Sequence, residues 1–323
     1  MIRVSLILTG LCLFAHQAQA QAVASDFPSW AFVMNSGPPE PRVPDDGTVF
    51  KVPNSQAGFT RDQTRDRFAP PDWHPENHPE MPKAVAEGRK PVVWACAFCH
   101  RPNGAGGPEN ARIAGLPADY IVQQLKDLAS GERSTVLPKR MPHVLKQPIV
   151  KELTEDEMRE AANYFSRLKT GSTVVVKESA TAPKIINRGM FFTATEDGAL
   201  EVLGNRIVEV PENLERFEVL RDDQVKFIAY VPPGSVAKGM ALARAPGGNA
   251  ALACAGCHGA DMRGIGTIPP IAGRSPTYLV RQLWDMQAGA RNGAGAQAMK
   301  PVVTTLSSQD MLALSAYLAS LKP

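Results

Sequence analysis

The stretches Cys96-Ala97-Phe98-Cys99-His100 and Cys254-Ala255-Gly256-Cys257-His258 decide how this chain of 323 residues folds. Both are copies of the pattern C-x-x-C-H. Two thiols separated by two residues can add to the two vinyl groups on one edge of a haem, and the adjacent histidine then reaches the iron from the proximal face. The two copies therefore predict two covalently bound haem c groups, attached through Cys96, Cys99, Cys254 and Cys257.

A zinc site and a redox-active dithiol are the competing uses of a C-x-x-C pair. A zinc site needs four ligands, and its cysteine pairs do not need a histidine directly after the second cysteine. A thioredoxin-like dithiol would occur once, near a β-α-β pattern. Two copies that use every cysteine beyond Cys12 favour haem attachment over both.

The first 20 residues have the pattern of an export signal. Arg3 precedes an apolar run from Val4 to Ala15, and Ala18-Gln19-Ala20 is a small-x-small cleavage site. We expect cleavage after Ala20 and export to the periplasm. Cys12 would leave with the signal, so the mature chain would keep four cysteines, all in thioether bonds, and no disulfide.

Composition excludes several classes of protein. Hydrophobic residues make up 44% and charged residues 21%, which favours a soluble globular protein over a disordered chain or a bundle of membrane spans. The 35 basic and 32 acidic side chains form no basic block, so nucleic acid is not an expected partner. After signal cleavage no apolar stretch approaches the roughly 20 residues of a spanning helix, so we expect no transmembrane segment.

The sequence around the two motifs repeats, which predicts two similar mainly α-helical domains. The repeated positions include Ile113-Ala114-Gly115 with Ile271-Ala272-Gly273, Tyr120 with Tyr278, Gln124 with Gln282, Arg133 with Arg291, and Tyr164 with Tyr317. The register slips between the last two pairs, which places a short insertion in the first copy near Leu145 to Lys151. We expect a signal peptide at 1–20, a Pro-rich extension at 21–83, the first domain at 84–170, an inter-domain insertion at 171–235 and the second domain at 236–323.

Helix signals recur at matching places in both copies. The closing helices should begin at the capping boxes Thr154-x-x-Glu157 and Ser307-x-x-Asp310. Val85-Ala86-Glu87-Gly88 and Val236-Ala237-Lys238-Gly239 should belong to the first helices. In the inter-domain insertion, short strands are expected at Thr173–Val176, Leu200–Leu203, Ile207–Val210 and Val225–Val231.

Two methionines are candidates for the distal iron ligands opposite His100 and His258. Met141 and Met299 follow these histidines at the same spacing, each beside a proline in an expected loop between two helices. A thioether suits haem iron, although methionine is also a common core residue.

His143 competes with Met141 in the first copy, whereas Met262 lies too close to His258 to reach the opposite face. His74 and His78 could bind a metal or cover a haem, but surface polar roles are favoured.

These motifs resemble those of tandem dihaem class I cytochromes c of the cytochrome c4 type, over about half of the chain. The resemblance implies exported electron carriers with two cytochrome folds related by a pseudo-twofold. It also implies that His100 and His258 are proximal iron ligands and that Met141 and Met299 are distal ones. The proline whose carbonyl accepts a hydrogen bond from the proximal histidine corresponds to Pro269, but Ala111 occupies that position in the first copy. We expect the first hydrogen bond to survive with altered geometry.

The function predicted from these observations is single-electron transfer between redox partner proteins. The donor would be a dehydrogenase or a respiratory complex, and the acceptor an oxidase or a reductase. Two alternatives stay open. One is a dihaem enzyme of the peroxidase or thiosulfate-oxidising type, and the other is the cytochrome subunit of a dehydrogenase complex. The extension and the insertion could shield a haem, dock a partner or only wrap the domains.

Overall fold

The computed structural model describes residues 26–34, 42–169 and 171–323. The expected signal peptide, including Cys12 and the cleavage site after Ala20, lies outside the described residues. Within the described ranges, no helix is both long enough and apolar enough to cross a membrane.

The first haem-motif unit is a small bundle built on amphipathic helices. Its core packs Ile121, Val122, Met158, Ala162 and Phe165, all buried. The Thr154 side chain accepts from Glu157 N at 3.2 Å and Glu157 Oε2 accepts from Thr154 N at 2.8 Å, so the predicted capping box begins the closing helix. The helices of this unit are α2 (Lys83–Ala86), α3 (Cys96–His100), α4 (Ala118–Ser130), α5 (Met141–Glu152) and α6 (Glu155–Arg167), after a short α1 (Arg61–Thr64) in the extension.

The second unit repeats this order of elements, and its first and last helices pack closely against each other. Its helices are α7 (Ser235–Arg244), α8 (Cys254–His258), α9 (Pro276–Gln287), α10 (Lys300–Val303) and α11 (Ser308–Ser320). Ser307 and Asp310 form the second predicted capping box. Gly239 faces the backbone of Ala313, where a β-carbon would collide with the carbonyl oxygen. Glycine at this position therefore lets α7 and α11 approach closely.

Two local predictions in the first unit are wrong. Gly88 does not continue the first helix, which ends at Ala86; instead it begins β1 (Gly88–Arg89), which pairs with β2 (Val93–Trp94). Its φ of 65° and its close contact with Val93 O both require glycine, which overrides the helical pattern. Met141 does not lie in a loop either. It is the first residue of α5, the helix that contains the extra residues of the first copy.

The inter-domain insertion forms short strands, as the sequence predicts. β3 (Val174–Glu178) pairs in parallel with β9 (Phe227–Val231), which pairs antiparallel with β8 (Val208–Pro211). Two further antiparallel pairs join β4 (Thr181–Pro183) to β7 (Leu200–Val202) and β5 (Ile185–Asn187) to β6 (Phe192–Ala194). The three-stranded sheet packs on the second unit, since Val174, Ala229 and Val231 share a core with α9 and α11.

The N-terminal segment 26–34 packs against elements that are distant in sequence. The Phe27 and Trp284 rings meet edge to face with centroids 5.6 Å apart. Arg281 Nη1 donates to Ala31 O at 2.6 Å, and Asp26 Oδ2 accepts from Ser308 N at 2.8 Å. The described part of the extension is therefore integral to the folded chain.

A buried ion triad joins this segment to both haem-motif units. The carboxylate of Glu109 contacts Arg140, and its Oε1 lies 3.4 Å from Arg281 Nη1. All three side chains are at most 7% exposed. Arg140 also donates to Val33 O at 3.2 Å. Burial lowers the pKa of Arg140 to about 10, and nearby Arg281 adds to this; Glu109 and Asp285 oppose the shift, and Glu109 is the carboxylate that contacts both arginines.

We expect Glu109→Gln to lower the free energy of unfolding by about 3–5 kcal/mol, because it removes the carboxylate that contacts two buried guanidinium groups. Glu155→Gln is the control, since Glu155 pairs with Arg159 on the surface, where solvent screens the pair. Denaturant unfolding followed by circular dichroism measures both. Equal effects of the two substitutions would contradict a structural role for the triad.

Candidate functional site

Both C-x-x-C-H motifs fold into a single helical turn that begins at the first cysteine. Residues three and four apart lie on the same side of a helix, so each turn gathers its two thiols and its histidine on one side. No disulfide joins the four cysteines of the two motifs. Both turns thus present the groups that covalent haem attachment needs.

The two motif histidines have the same hydrogen bond. His100 Nδ1 lies 2.8 Å from Ala111 O, and His258 Nδ1 lies 2.8 Å from Pro269 O. A carbonyl oxygen only accepts, so Nδ1 carries the proton and Nε2 is the bare nitrogen that can bind a metal. The first hydrogen bond survives without proline, and its length equals that of the second.

The electrostatic surroundings keep both imidazoles neutral. Burial, with a smaller contribution from the charge of Lys146, lowers the pKa of His100 to about 4. Burial also lowers the pKa of His258. A ligand to iron must offer a neutral nitrogen at physiological pH, and both histidines meet this requirement.

The loop after each histidine is closed by one hydrogen bond to that histidine's carbonyl. Gly106 N donates to His100 O at 3.0 Å, and Gly264 N donates to His258 O at 2.7 Å. The residue that ends the turn has a positive φ in both copies, 68° at Arg101 and 83° at Gly259. Arginine is unfavourable in this conformation. Its guanidinium donates to Phe217 O at 3.1 Å, which ties the first turn to the insertion.

The two predicted distal methionines occupy equivalent places. Met141 is the first residue of α5, and Met299 ends a 3₁₀ turn (Ala294–Met299) directly before α10. Both are partly buried, and each lies within two residues of a proline in the first helical turn. Met299 packs beside Met286 and Val303.

His143 and Met262 differ as the sequence indicates. His143 lies in the first turn of α5 and is partly buried; burial, Lys146 and Arg140 lower its pKa. It therefore stays a neutral competitor of Met141. Met262 is buried in the loop that follows His258, and its carbonyl accepts from Ile271 N at 2.8 Å.

A reciprocal hydrogen-bond network joins the two units. Arg133 donates to Tyr278 Oη at 3.1 Å, and Arg291 donates to Tyr120 Oη at 2.8 Å. Gln124 Oε1 accepts from Arg133 at 3.0 Å and from Arg291 at 2.9 Å. Gln282, the repeat counterpart of Gln124, likewise accepts from both arginines, at 3.1 Å and 3.0 Å.

Backbone hydrogen bonds between the two units also occur in pairs, related by exchange of one unit for the other. Ser134 N donates to Ala290 O at 2.8 Å, and Asn292 N donates to Glu132 O at 2.7 Å. Each contact has its counterpart with the units exchanged, which is the pattern of a pseudo-twofold axis. The repeat places Arg133 and Arg291 at equivalent positions, but sequence reasoning assigned them no role. The available signal was that both copies of the repeat have an arginine at this position.

The same interface has an excess of positive charge. Burial acts to raise the pKa of Tyr278, but Arg133, Arg291, Arg274 and Lys146 together lower it to about 8. The lowered pKa of Tyr278 indicates that positive charge exceeds negative charge around its hydroxyl group. The two propionates of a haem would supply that charge, so this interface fits a haem held by either motif.

The insertion and the extension cover the outer side of the first motif. The guanidinium of Arg221 lies 4.0 Å from the centroid of the Phe98 ring and donates to Phe98 O. Arg67 lies 4.2 Å from the centroid of the Trp94 ring. The side chains of Arg221 and Arg67 thus restrict access beside Cys99.

The fold and these two sites define a c-type cytochrome with two motifs in tandem. A family model for cytochrome c matches residues 85–169 and 236–322, which is more than half of the chain. The chain therefore belongs to the cytochrome c family.

Known proteins extend this comparison. A thiosulfate dehydrogenase electron acceptor of Stutzerimonas stutzeri is 25% identical over 236 residues, covering 72% of this chain and 82% of that protein. A cytochrome c4 of Azotobacter vinelandii is 24% identical over 243 residues, covering 74% and 88%. The solved cytochrome c4 from Pseudomonas stutzeri has a TM-score of 0.43 and 22% identity, covering 70% of this chain and 93% of that chain. A thiosulfate dehydrogenase from Marichromatium purpuratum has a TM-score of 0.44 and 24% identity; 72% of this chain and 37% of that chain are covered.

The family match and the curated relatives confirm the predicted fold class and the predicted cofactors. The chain consists of two tandem cytochrome c domains with short strands between them, and it carries two covalently bound haem c groups. It is similar to dihaem cytochromes of the c4 type and functions in electron transfer.

We expect Arg133→Ala to lower the free energy of unfolding by about 1–3 kcal/mol, because it leaves buried acceptors on Gln282 and Tyr278 with fewer donors. Combining it with Arg291→Ala should be non-additive, since both arginines share Gln124 and Gln282. Calorimetry should resolve separate transitions of the two units in the double variant. Arg159→Ala, in an exposed pair, is the control. Strictly additive effects with a single transition would contradict an interface role.

Proposed function

We propose that this protein is a periplasmic electron carrier with two His/Met-ligated haems. His100 and His258 would be the proximal ligands, Met141 and Met299 the distal ones, and Cys96, Cys99, Cys254 and Cys257 would hold the haems through thioether bonds. The observation that carries the proposal is the pair of equal 2.8 Å hydrogen bonds that orient both imidazoles with Nε2 bare.

The bound haems supply reversible one-electron chemistry, and the potential depends on the axial ligands, hydrogen bonding and burial. The residues of the chain itself orient the two imidazole rings and shield the haem sites. The carbonyls of Ala111 and Pro269 hold the rings and keep their tautomer. The loops closed by Gly106 and Gly264 hold those carbonyls in place. We assign the two domains to 84–170 and 236–323.

The reciprocal network at the interface supports electron exchange between the two domains. Arg133 and Arg291 bind side chains of both units, so the units cannot rotate independently without breaking several hydrogen bonds that are at least partly buried. A fixed relative orientation keeps the two redox centres at one separation. The protein would therefore hold two electrons, which it accepts and passes on one at a time.

A dehydrogenase is the proposed electron donor, and an oxidase or reductase the acceptor. Two relatives are named as electron acceptors of thiosulfate dehydrogenase, and a third, matched over 40 residues, is the cytochrome subunit of a sulfide dehydrogenase. These names favour a carrier that takes electrons from the oxidation of reduced sulfur compounds. Stopped-flow mixing of the oxidised protein with thiosulfate dehydrogenase and thiosulfate should reduce both haems; no reduction beyond the enzyme-free rate would reject this donor.

We expect Met141→Ala and Met299→Ala each to abolish one half of the near-infrared charge-transfer absorption that methionine-ligated ferric haem c shows. Each should also lower one of the two reduction potentials, since a thioether raises the potential. Potentiometric titration followed by optical and magnetic spectra measures both effects.

His143→Ala and Met262→Ala are the matched controls for ligation in the first and second domains. Neither should change the charge-transfer absorption. If both methionine variants keep that absorption, the proposed ligands are rejected. A change in His143→Ala alone would instead assign His143 to the first iron.

Export predicts a defined N-terminus. Cleavage after Ala20 should leave Gln21 as the first residue of protein isolated from the periplasmic fraction, as mass spectrometry of the intact chain would show. Replacing Ala18 and Ala20 together by large residues should retain the precursor, because signal cleavage needs small residues there. A mature chain that still begins before Gln21 would contradict the proposed cleavage site.

A further inference from the structure

A buried cluster of three metal-ligating side chains lies outside both haem motifs. His74, Asp222 and Asp223 each offer a ligand atom, and these atoms all lie within 4.8 Å of one another. The three residues are 1%, 2% and 5% exposed. This corrects the expected surface role of His74, because its imidazole is enclosed by the extension and the insertion.

The cluster contains polar atoms without protein partners. Neither ring nitrogen of His74 has a hydrogen bond, and Asp223 Oδ1 has none either. Leaving such groups buried and unpaired costs about 1–3 kcal/mol each. His74 Nε2 and Asp223 Oδ1 lie 3.9 Å apart, so these two unpaired atoms indicate a group that binds between them.

The distances match a bridging cation rather than direct hydrogen bonds. His74 Nε2 lies 3.9 Å from Asp222 Oδ1 and 3.9 Å from Asp223 Oδ1. Hydrogen bonds between these atoms would need about 2.7–3.2 Å. Two ligand atoms that share one tetrahedral Zn²⁺, each at about 2.0–2.2 Å, lie about 3.3–3.6 Å apart. The 3.9 Å separations are therefore closer to those of shared ligands than to those of a hydrogen bond.

The neighbours of the cluster hold its ligands in place. Arg216 Nε donates to Asp222 Oδ2 at 2.8 Å, and Gln224 N donates to Asp222 Oδ1 at 2.9 Å. These bonds orient the carboxylate that faces His74. On the other side of the ring, His74 Nδ1 lies 3.6 Å from Glu76 Oε1, a carboxylate of the kind that commonly orients a metal-bound histidine.

We propose that His74, Asp222 and Asp223 bind one divalent first-row metal ion of the Zn²⁺ class. One imidazole and two carboxylates form a mixed nitrogen and oxygen donor set, which suits zinc. Calcium is disfavoured, because it takes six to eight oxygen ligands and no imidazole. Three protein ligands leave the remaining coordination to water.

The ion would join two parts of the chain that are distant in sequence, and a hydrogen bond links them to a third. Trp73, beside His74, donates from Nε1 to Leu220 O at 2.7 Å, which links the extension to the insertion. Asn103, three residues after His100, donates to Asp223 O at 3.1 Å. Metal binding would therefore clamp the extension and the insertion over the loop that supports the first haem motif.

Elemental analysis of the intact holoprotein tests this site. The untagged protein is dialysed against a chelator, incubated with ZnCl₂, desalted and analysed by mass spectrometry, with the two haem irons as the internal standard. The wild type should hold one zinc per two irons. His74→Ala and Asp223→Asn should each lose most of this zinc, and the isosteric Asp223→Asn preserves the packing if His74→Ala does not fold.

His78→Ala is the matched control. His78 is also a partly buried histidine beside an aspartate, with Nε2 at 3.1 Å from Asp72 Oδ1, but it is no member of the cluster. It should keep its zinc. Zinc should also raise the unfolding midpoint of the wild type and of His78→Ala by about 5 °C, without raising that of Asp223→Asn. No stoichiometric zinc in the wild type, equal zinc in Asp223→Asn, or binding of calcium in place of zinc would overturn the proposal.

Discussion

The hydrogen bond from each motif histidine to a backbone carbonyl is the constraint on which the rest of each unit depends. It decides which nitrogen is bare, and it requires the loop between residues 100 and 111, or 258 and 269, to return its carbonyl to the ring. That loop closes only if Gly106 or Gly264 donates back to the histidine. The first copy shows that the carbonyl matters more than the residue that carries it, because Ala111 accepts at the same distance as Pro269.

The interface converts two small domains into one electron-transfer unit. Each domain alone has a modest core, but α4 and α9, with the loops that follow them, bring two tyrosines, two glutamines and two arginines together on the axis of the repeat. Arginine provides several donors in a fixed fork, so one side chain can bind a partner glutamine and a partner tyrosine at once. The resulting excess of positive charge beside Tyr278 suits the propionates of haem.

The insertion and the extension make the two domains unequal. Arg101 takes a backbone conformation that its counterpart Gly259 adopts without strain, and in return its side chain binds the insertion. Arg221 packs on Phe98 beside the first motif, and the ion triad of Glu109 ties the N-terminal segment to both units. Because burial and nearby charge tune a haem's potential, we expect the surroundings of the first haem, rather than its motif, to distinguish it from the second.

The sequence alone determined the motifs, the repeat, the capping boxes and four of the seven strands of the insertion, because each depends on residues that are close together in the chain. Only the tertiary structure decided the features that depend on distant partners. Gly88 leaves the helical pattern because the backbone of Val93 lies against it. His74 reads as a polar surface residue, and it is buried only because residues 222 and 223 meet it from the insertion. Arg133 and Arg291 are ordinary basic residues until the units dock, since their acceptors lie on both sides of an interface that local sequence does not encode.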